Sequence, residues 1–185
     1  MRNWDTAGLI TAKRNYKKPN RLRAVAPAAI PRNLLEHVRV VKAPRAEAPF
    51  PIQAIAVEED TSLVLSADIE VRDPRQHPIR LMTELYNDPQ RLPGSIVVKN
   101  TCPTYLLAIV HDFDQQPSWQ ASWIVSCLEK IFEICAQRQI SALGLEPLGT
   151  KHGRLGEKKF LQLLRKSMQS TEPNSLRRLW LITPD

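Results

Sequence analysis

The fold is decided by one stretch of this chain, the apolar run ISALGLEPL (140–148) followed by the glycine-rich GTKHGRLG (149–156). The apolar residues that come next recur at the spacing of one helix face, from Phe160 to Met168, so the pattern predicts a strand, a loop and a helix. Glycines let backbone N–H groups turn inward, and a helix N-terminus adds partial positive charge. The loop therefore predicts an anion site, and a tight turn that binds nothing is the alternative.

The same alternation of strands and helices extends outward from this stretch. One apolar stripe at helical spacing predicts a helix that opens at Pro117–Ser118 and ends near Arg138, and another helix is predicted from His77–Pro78 to Pro89. The predicted strands are 52–57, 63–65, 69–71, 95–99, 105–110, 140–145 and 179–182, and the acidic residues 58–60 separate the first two. Helices that alternate with central strands indicate a three-layer α/β/α domain with a mixed sheet.

The basic charge of the chain is concentrated in its first 50 residues. Residues 1–50 carry eleven Lys and Arg residues against three acidic residues, whereas residues 51–185 carry fifteen against sixteen. The first segment is also rich in proline, so we predict a disordered or loosely docked arm over 1–50 and the α/β domain over 51–185. The near-neutral domain does not favour a nucleic-acid-binding fold. A contact between the arm and an acidic protein or nucleic acid stays open.

Cysteine usage and hydropathy indicate the cellular compartment. The chain has only Cys102, Cys127 and Cys135 and no CxxC pair, which favours a reducing interior. No stretch approaches the ~20 apolar residues of a transmembrane helix, and no signal peptide is visible. We therefore expect a soluble, cytoplasmic protein without membrane contact, and leave its oligomeric state open.

Polar residues follow two of the predicted central strands, at the edge where α/β folds bind ligands. His111 and Asp112 come after the strand 105–110, and His152 follows the strand 140–145. If these strands are neighbours, the three side chains share one crevice and are candidates for general acid–base catalysis or for metal binding. Their spacing matches no metal motif, so we predict no metal site. The alternative interpretation is that they satisfy loop backbone groups or line a pocket.

Residues 94–183 resemble the second half of a macro domain. The matching motifs are a strand that ends in His111, a long helix, and a strand that runs into the sequence PLGTKHG (147–153). In that family, a loop of this kind wraps the diphosphate and distal ribose of ADP-ribose. The resemblance therefore implies a macro-like α/β fold and a phosphate-bearing, ADP-ribose-like ligand. The loop residues that it implies as ligand contacts are Gly149, Thr150, Lys151, His152 and Gly153.

The chain departs from the family pattern in two loops. Lys151 stands where the family has its usual third loop glycine, and the asparagine- and glycine-rich loop after an early strand corresponds to residues 70–77, which contain neither residue type. Arg72, Arg75 and His77 are candidates to contact phosphate through their side chains, or they form a solvated surface turn. We therefore predict a divergent binding module without a cofactor. A hydrolase of a nucleotide or ADP-ribosyl conjugate and a ligand-free interaction module are the alternatives.

Overall fold

The computed structural model describes residues 37–65, 90–171 and 175–183, which form a mixed sheet with two helices. In chain order the described elements are β1 (Arg39–Pro44), β2 (Ala54–Asp60), β3 (Ile96–Lys99), β4 (Thr104–His111), α1 (Ala121–Gln137), β5 (Ala142–Leu145), α2 (Glu157–Thr171) and β6 (Arg178–Thr183). The strand order is β1-β6-β5-β2-β4-β3. Neighbours are parallel except β3, which is antiparallel to β4. The predicted α/β class with a mixed sheet is confirmed.

The side chains of the sheet alternate between two apolar cores, one on each face. In β2, Ala54 and Ala56 face the larger core, whereas Ile55 and Val57 face the smaller one. Both helices pack on the larger core through one buried stripe each: Ile124, Cys127, Leu128, Ile131, Phe132 and Cys135 in α1, and Phe160, Leu164 and Met168 in α2. The predicted strand 69–71 and helix 77–89 lie outside the described residues, so the remaining helical layer stays a prediction.

The acidic residues 58–60, predicted to separate two strands, are the buried end of β2. Asp60 turns its carboxylate into the next loop, where Oδ2 accepts the N–H of Val64 at 2.8 Å and that of Leu65 at 3.0 Å. Oε1 of Glu59 accepts the Leu65 N–H as well, at 2.8 Å. These bonds offer the backbone an alternative to a sheet ladder, so the predicted strand at residues 63–65 is wrong and the segment is a turn.

The start of helix α1 also differs from the prediction. The helix begins at Ala121, and its N-cap residue Gln120 makes no side-chain capping hydrogen bond. Ser118, predicted to open the helix, instead uses its carbonyl oxygen to accept the N–H of Asp112 at 2.7 Å. Pro117–Ser118 therefore closes the loop after β4 rather than beginning the helix.

Strand β1 belongs to the sheet, although its residues fall within the predicted basic arm. It pairs in parallel with β6, and Val40 packs against the larger core. The indole N–H of Trp180 donates to the carbonyl oxygen of Ala43 at 2.9 Å, which ties the two strands together. The predicted arm is therefore wrong for residues 39–44, and the sheet begins before the proposed boundary at residue 51. Residues 1–36 lie outside the described part of the chain.

The three cysteines are free thiols in two different environments. Cys102 is exposed, whereas Cys127 and Cys135 lie in the buried stripe of α1. Burial raises the pKa of both helical thiols to about 12, so neither is a thiolate nucleophile near neutral pH. Within the described ranges, neither helix combines the length and the apolar character needed to cross a membrane.

Candidate functional site

A cavity of about 500 Å³ lies at the carboxyl ends of the parallel strands β1, β2, β5 and β6. Ligands of open α/β sheets bind at this edge, because the loops that follow the strands meet there. The lining residues come from three of these strand ends, the segment after β1 and the loop before α2: Arg45, Glu58, Glu146, Pro147, Thr150, Lys151, Glu157, Ile182 and Thr183. The cavity therefore borders the glycine loop (149–156) that the sequence singled out.

Two glycines of this loop are required by close packing. Gly149 has a φ of +74°, and a Cβ there would lie 2.8 Å from Cδ1 of Ile124 in α1. At Gly153, a Cβ would lie 2.5 Å from the carbonyl oxygen of Gly149 and 2.7 Å from Cδ1 of Trp119. The N–H of Leu155 donates to that same carbonyl oxygen at 3.0 Å. The loop is thus folded tightly on itself and against the start of α1.

The Glu58 carboxylate, at the end of β2, lies against the inner side of the glycine loop. Its Oε2 accepts the N–H of Gly149 at 2.7 Å, and its Oε1 accepts the N–H of His152 at 3.1 Å. The Glu58 side chain is only 2% exposed. Inward-facing N–H groups of such loops bind anions. In this structure, the anion that these two N–H groups hold is a side chain of the same chain.

Two histidines flank Glu58. His152 Nδ1 lies 2.5 Å from Oε1, and His111 Nε2 lies 3.8 Å from Oε2. The two imidazole rings meet edge to face, with centroids 5.9 Å apart. The structure therefore brings His111 and His152 together, although the two strands that carry them, β4 and β5, are not neighbours as the prediction required but lie on either side of β2. The centre of the cluster is Glu58, which sequence reasoning missed.

His111 is completely buried beside this carboxylate. Its ring stacks on Phe113 with centroids 5.6 Å apart and an interplanar angle of 7°. Neither ring nitrogen has a hydrogen-bond partner among the described residues. The 3.8 Å separation from Glu58 is too long for a hydrogen bond but short enough for electrostatic attraction. An unsatisfied buried polar atom costs about 1–3 kcal/mol, so this imidazole is an energetic exception in the core.

The surroundings of Glu58 keep its carboxyl group charged. Burial is the largest single influence and would by itself raise the pKa. The interactions with His111 and His152 and the N–H of Gly149 act in the opposite direction and together lower the pKa below its ordinary value. In Glu146, by contrast, burial outweighs the attraction of nearby cations and raises the pKa.

The cavity carries both charge signs at close range. Arg45 Nη1 lies 2.5 Å from Oε1 of Glu146, and Lys42 pairs with Glu157. Lys151 is exposed, and its positive charge also attracts the Glu146 carboxylate. Arg45 follows β1, in the segment that the sequence assigned to a separate arm, so its place in the site was missed. The cavity therefore offers cations for phosphate groups and carboxylates for hydroxyl groups.

Asp112, predicted to share a crevice with His111 and His152, does not join the cluster. Its Oδ1 accepts the N–H of Asp114 at 3.1 Å, and its Oδ2 accepts a side-chain N–H of Gln115 at 2.5 Å. This is the local turn chemistry of an aspartate that follows a strand, and it directs the carboxylate into its own loop. The structure therefore agrees with the alternative interpretation, in which the Asp112 carboxylate accepts hydrogen bonds from groups of its own loop.

The other predicted contacts divide between the cavity and the undescribed part of the chain. Thr150 lines the cavity, and its hydroxyl donates to the carbonyl oxygen of Pro147 at 2.6 Å. Lys151 lines the cavity as well. The remaining predicted contacts lie outside the described ranges and stay predictions: Arg72, Arg75 and His77.

No protein-family model matches the chain, and no curated protein matches it in sequence. Solved structures match it in fold. The macrodomain of DarG from Thermus aquaticus is 18% identical, with a TM-score of 0.55, covering 80% of this chain and 98% of its own. An Oceanobacillus iheyensis macrodomain with ADP is 12% identical (TM-score 0.55, 78% and 82% covered). A Trypanosoma brucei macrodomain in complex with ADP-ribose is 12% identical (TM-score 0.52, 80% and 64% covered). The macro-like fold that the sequence implied is confirmed.

Proposed function

We propose that this chain, whose fold is that of the macrodomains, binds a phosphate-bearing nucleotide of the ADP-ribose type. The observation that carries the proposal is the cavity at the carboxyl ends of β1, β2, β5 and β6, bordered by the glycine loop. Its volume of about 500 Å³ falls within the range of about 300–1,000 Å³ that small-molecule sites occupy.

Side chains supply the contacts to phosphate in this proposal. Glu58 already holds the N–H groups of Gly149 and His152, so these two donors are occupied. Arg45 and Lys151 line the same cavity, and Arg45 keeps further N–H groups beside the Nη1 that pairs with Glu146. Both side chains would donate charge-assisted hydrogen bonds to phosphate oxygens, which are the stronger kind. Lys151 replaces a glycine of the family pattern, so here a side-chain cation adds to the backbone of the loop.

Carboxylates in the cavity favour a ligand that also carries ribose. Glu146 and Glu157 line the cavity beside the two cations, and carboxylates are common acceptors for ribose hydroxyl groups in nucleotide sites. Inorganic diphosphate would meet these acidic groups without any ribose hydroxyl to donate to them. Structural neighbours that hold ADP and ADP-ribose support the same ligand class.

Calorimetric titration of the chain with ADP-ribose, ADP and inorganic diphosphate tests the proposal. We expect ADP-ribose and ADP to bind more tightly than diphosphate, because diphosphate has no ribose hydroxyls to donate to the carboxylates. The variant Lys151→Ala should weaken binding about tenfold, the loss expected for one charge-assisted hydrogen bond. Lys158→Ala is the matched control, since Lys158 is an exposed lysine of α2 outside the cavity lining.

Two outcomes would contradict the proposal. The first is that neither ADP-ribose nor ADP binds at millimolar concentration, which would favour the ligand-free interaction module. The second is that Lys151→Ala and Lys158→Ala lose affinity equally, which would mean that the chain attracts anions only by its overall charge.

A second candidate function is hydrolysis of a nucleotide or ADP-ribosyl conjugate, and the contact between Glu58 and His152 favours it. A carboxylate that binds one imidazole nitrogen orients the ring, which leaves Nε2 to take a proton from an attacking water. Chromatographic separation of nucleotide and product in the titrated samples measures this hydrolysis. Product formed by the wild-type chain and Lys158→Ala but not by His152→Ala supports hydrolysis, and equal trace rates in all three exclude it.

A further inference from the structure

Three side chains with metal-binding atoms converge beside the cavity. Glu58, His111 and His152 each offer one ligand atom, and these atoms lie within 4.8 Å of one another. No other group of three such residues is found in the described part of the chain. Glu58 and His111 are buried, whereas the His152 side chain is 32% exposed, so the cluster has one open side.

We propose that Glu58, His111 and His152 form a binding site for a divalent transition-metal ion of the zinc type. Two imidazole nitrogens and one carboxylate oxygen are a donor set that zinc accepts, with a water molecule or ligand in the fourth position. Calcium and magnesium prefer oxygen ligands only, so the two histidines disfavour them.

The unsatisfied nitrogens of His111 independently indicate a missing ligand. The ring is fully buried, and its Nε2 faces the Glu58 carboxylate at 3.8 Å without a hydrogen-bond partner among the described residues. The ring of Phe113 stacks parallel on one face of the imidazole. A metal ion between Nε2 and the carboxylate would satisfy that nitrogen, which otherwise bears the cost of burial alone.

The ligand atoms of the cluster lie within 4.8 Å of one another and reach the spacing of a zinc site after movement of the side chains. Ligand atoms of a tetrahedral zinc site lie about 3.3 Å apart, given metal–ligand bonds of about 2.0–2.1 Å. The 3.8 Å between His111 Nε2 and Glu58 Oε2 is close to that value. The 2.5 Å between His152 Nδ1 and Glu58 Oε1 must lengthen, and rotation of the partly exposed His152 side chain achieves this without moving the loop backbone. The N–H groups of Gly149 and His152 would continue to orient the carboxylate.

This site does not depend on the proposed nucleotide function, because metal binding is measured without a nucleotide. Zinc titration against a chromophoric chelator gives the affinity and stoichiometry, and the visible absorption of bound Co²⁺ shows four-coordinate geometry. The full chain carrying Cys102→Ser is used, since Cys102 is an exposed thiol and thiolates are zinc ligands that would compete with the cluster. We expect one ion per chain and a four-coordinate Co²⁺ spectrum.

Single substitutions assign the ion to the cluster. His111→Gln and His152→Gln should each weaken zinc binding about 100-fold or more, because loss of a direct ligand exceeds the 10–100-fold effect of losing an outer partner. His37→Gln is the matched control, since His37 is an exposed histidine away from the cluster. Because buried His111 contributes to packing, His152→Gln carries the test if His111→Gln does not fold.

The inference is overturned if the Cys102→Ser chain binds no stoichiometric zinc. It is also overturned if His152→Gln binds zinc as tightly as its parent, or if His37→Gln loses as much affinity as His152→Gln. None of these readouts changes if the nucleotide proposal alone is wrong, so the two proposals fail separately.

Discussion

At the residue scale, Glu58 joins the glycine loop, the two histidines and the cavity. Its carboxylate holds the N–H groups of Gly149 and His152 and lies beside both imidazoles, in a nearly dry environment. A buried charge is stable only where such partners replace water. The same interactions that lower the pKa of Glu58 therefore fix the loop in place, and the loop depends on that charge.

Removing this carboxylate should destabilise the fold far more than removing an exposed one. Glu58→Ala leaves two loop N–H groups without an acceptor, so we expect the free energy of unfolding to fall by about 3 kcal/mol. Glu157→Ala is the matched control. Its exposed ion pair with Lys42 contributes less than about 1 kcal/mol. Denaturant unfolding in the presence of a chelator measures both, and equal losses would contradict the structural role of Glu58.

The sequence could predict part of this cluster. His111 ends β4 and His152 follows β5, and the carboxyl ends of these strands share one edge of the sheet, although β2 lies between them. Glu58 lies in a run of three acidic residues, which ordinarily indicates an exposed turn. The alternation of side chains along β2 could have indicated its burial. Glu58 stands two residues beyond Ala56, so it lies on the face of β2 that α1 and α2 bury. Only the packed loop reveals the donors that make burial of this charge possible.

At the element scale, the strand, loop and helix around residues 140–171 follow from apolar spacing, with β5 starting two residues later than predicted. The reason why the loop contains glycines does not follow from apolar spacing. The sequence predicted an anion site, with a tight turn as the alternative, and the structure shows close approach between Gly153, the Gly149 carbonyl and Trp119. This close packing depends on a tertiary contact with the segment before α1, and the spacing of apolar residues in the sequence cannot predict such a contact.

Two glycines of the same loop should therefore respond differently to alanine. Gly153→Ala places a Cβ 2.5 Å from a backbone oxygen, which cannot move without opening the loop. We expect a loss of about 2 kcal/mol, typical of overpacking at a buried site. Gly156→Ala adds a Cβ into open space at the N-cap of α2, so only the lower N-cap preference of alanine acts and the free energy of unfolding should fall by less than about 1 kcal/mol. Thermal and denaturant unfolding compare them, and similar values would refute the packing role.

At the scale of the whole molecule, the basic, proline-rich composition of residues 1–50 led to a wrong prediction of where the sheet begins. The alternation around Val40 is a β pattern, but it lies in a segment dominated by basic residues and proline, which favours disorder. Parallel pairing with β6, a partner about 140 residues away, stabilises β1. Because that pairing is long-range, no local pattern predicts it. Arg45 reaches the cavity as a consequence of the same pairing.

Truncation at two different positions should distinguish the contribution of β1 to the free energy of unfolding from that of the residues before it. A chain that starts at residue 37 keeps β1, its pairing with β6 and the ion pair between Arg45 and Glu146. We expect it to retain cooperative unfolding. A chain that starts at residue 51 exposes the edge of β6 and loses the packing of Val40, so its free energy of unfolding should fall by about 3 kcal/mol or more. Circular dichroism during urea unfolding distinguishes them, and equal midpoints would mean that β1 adds nothing to the sheet.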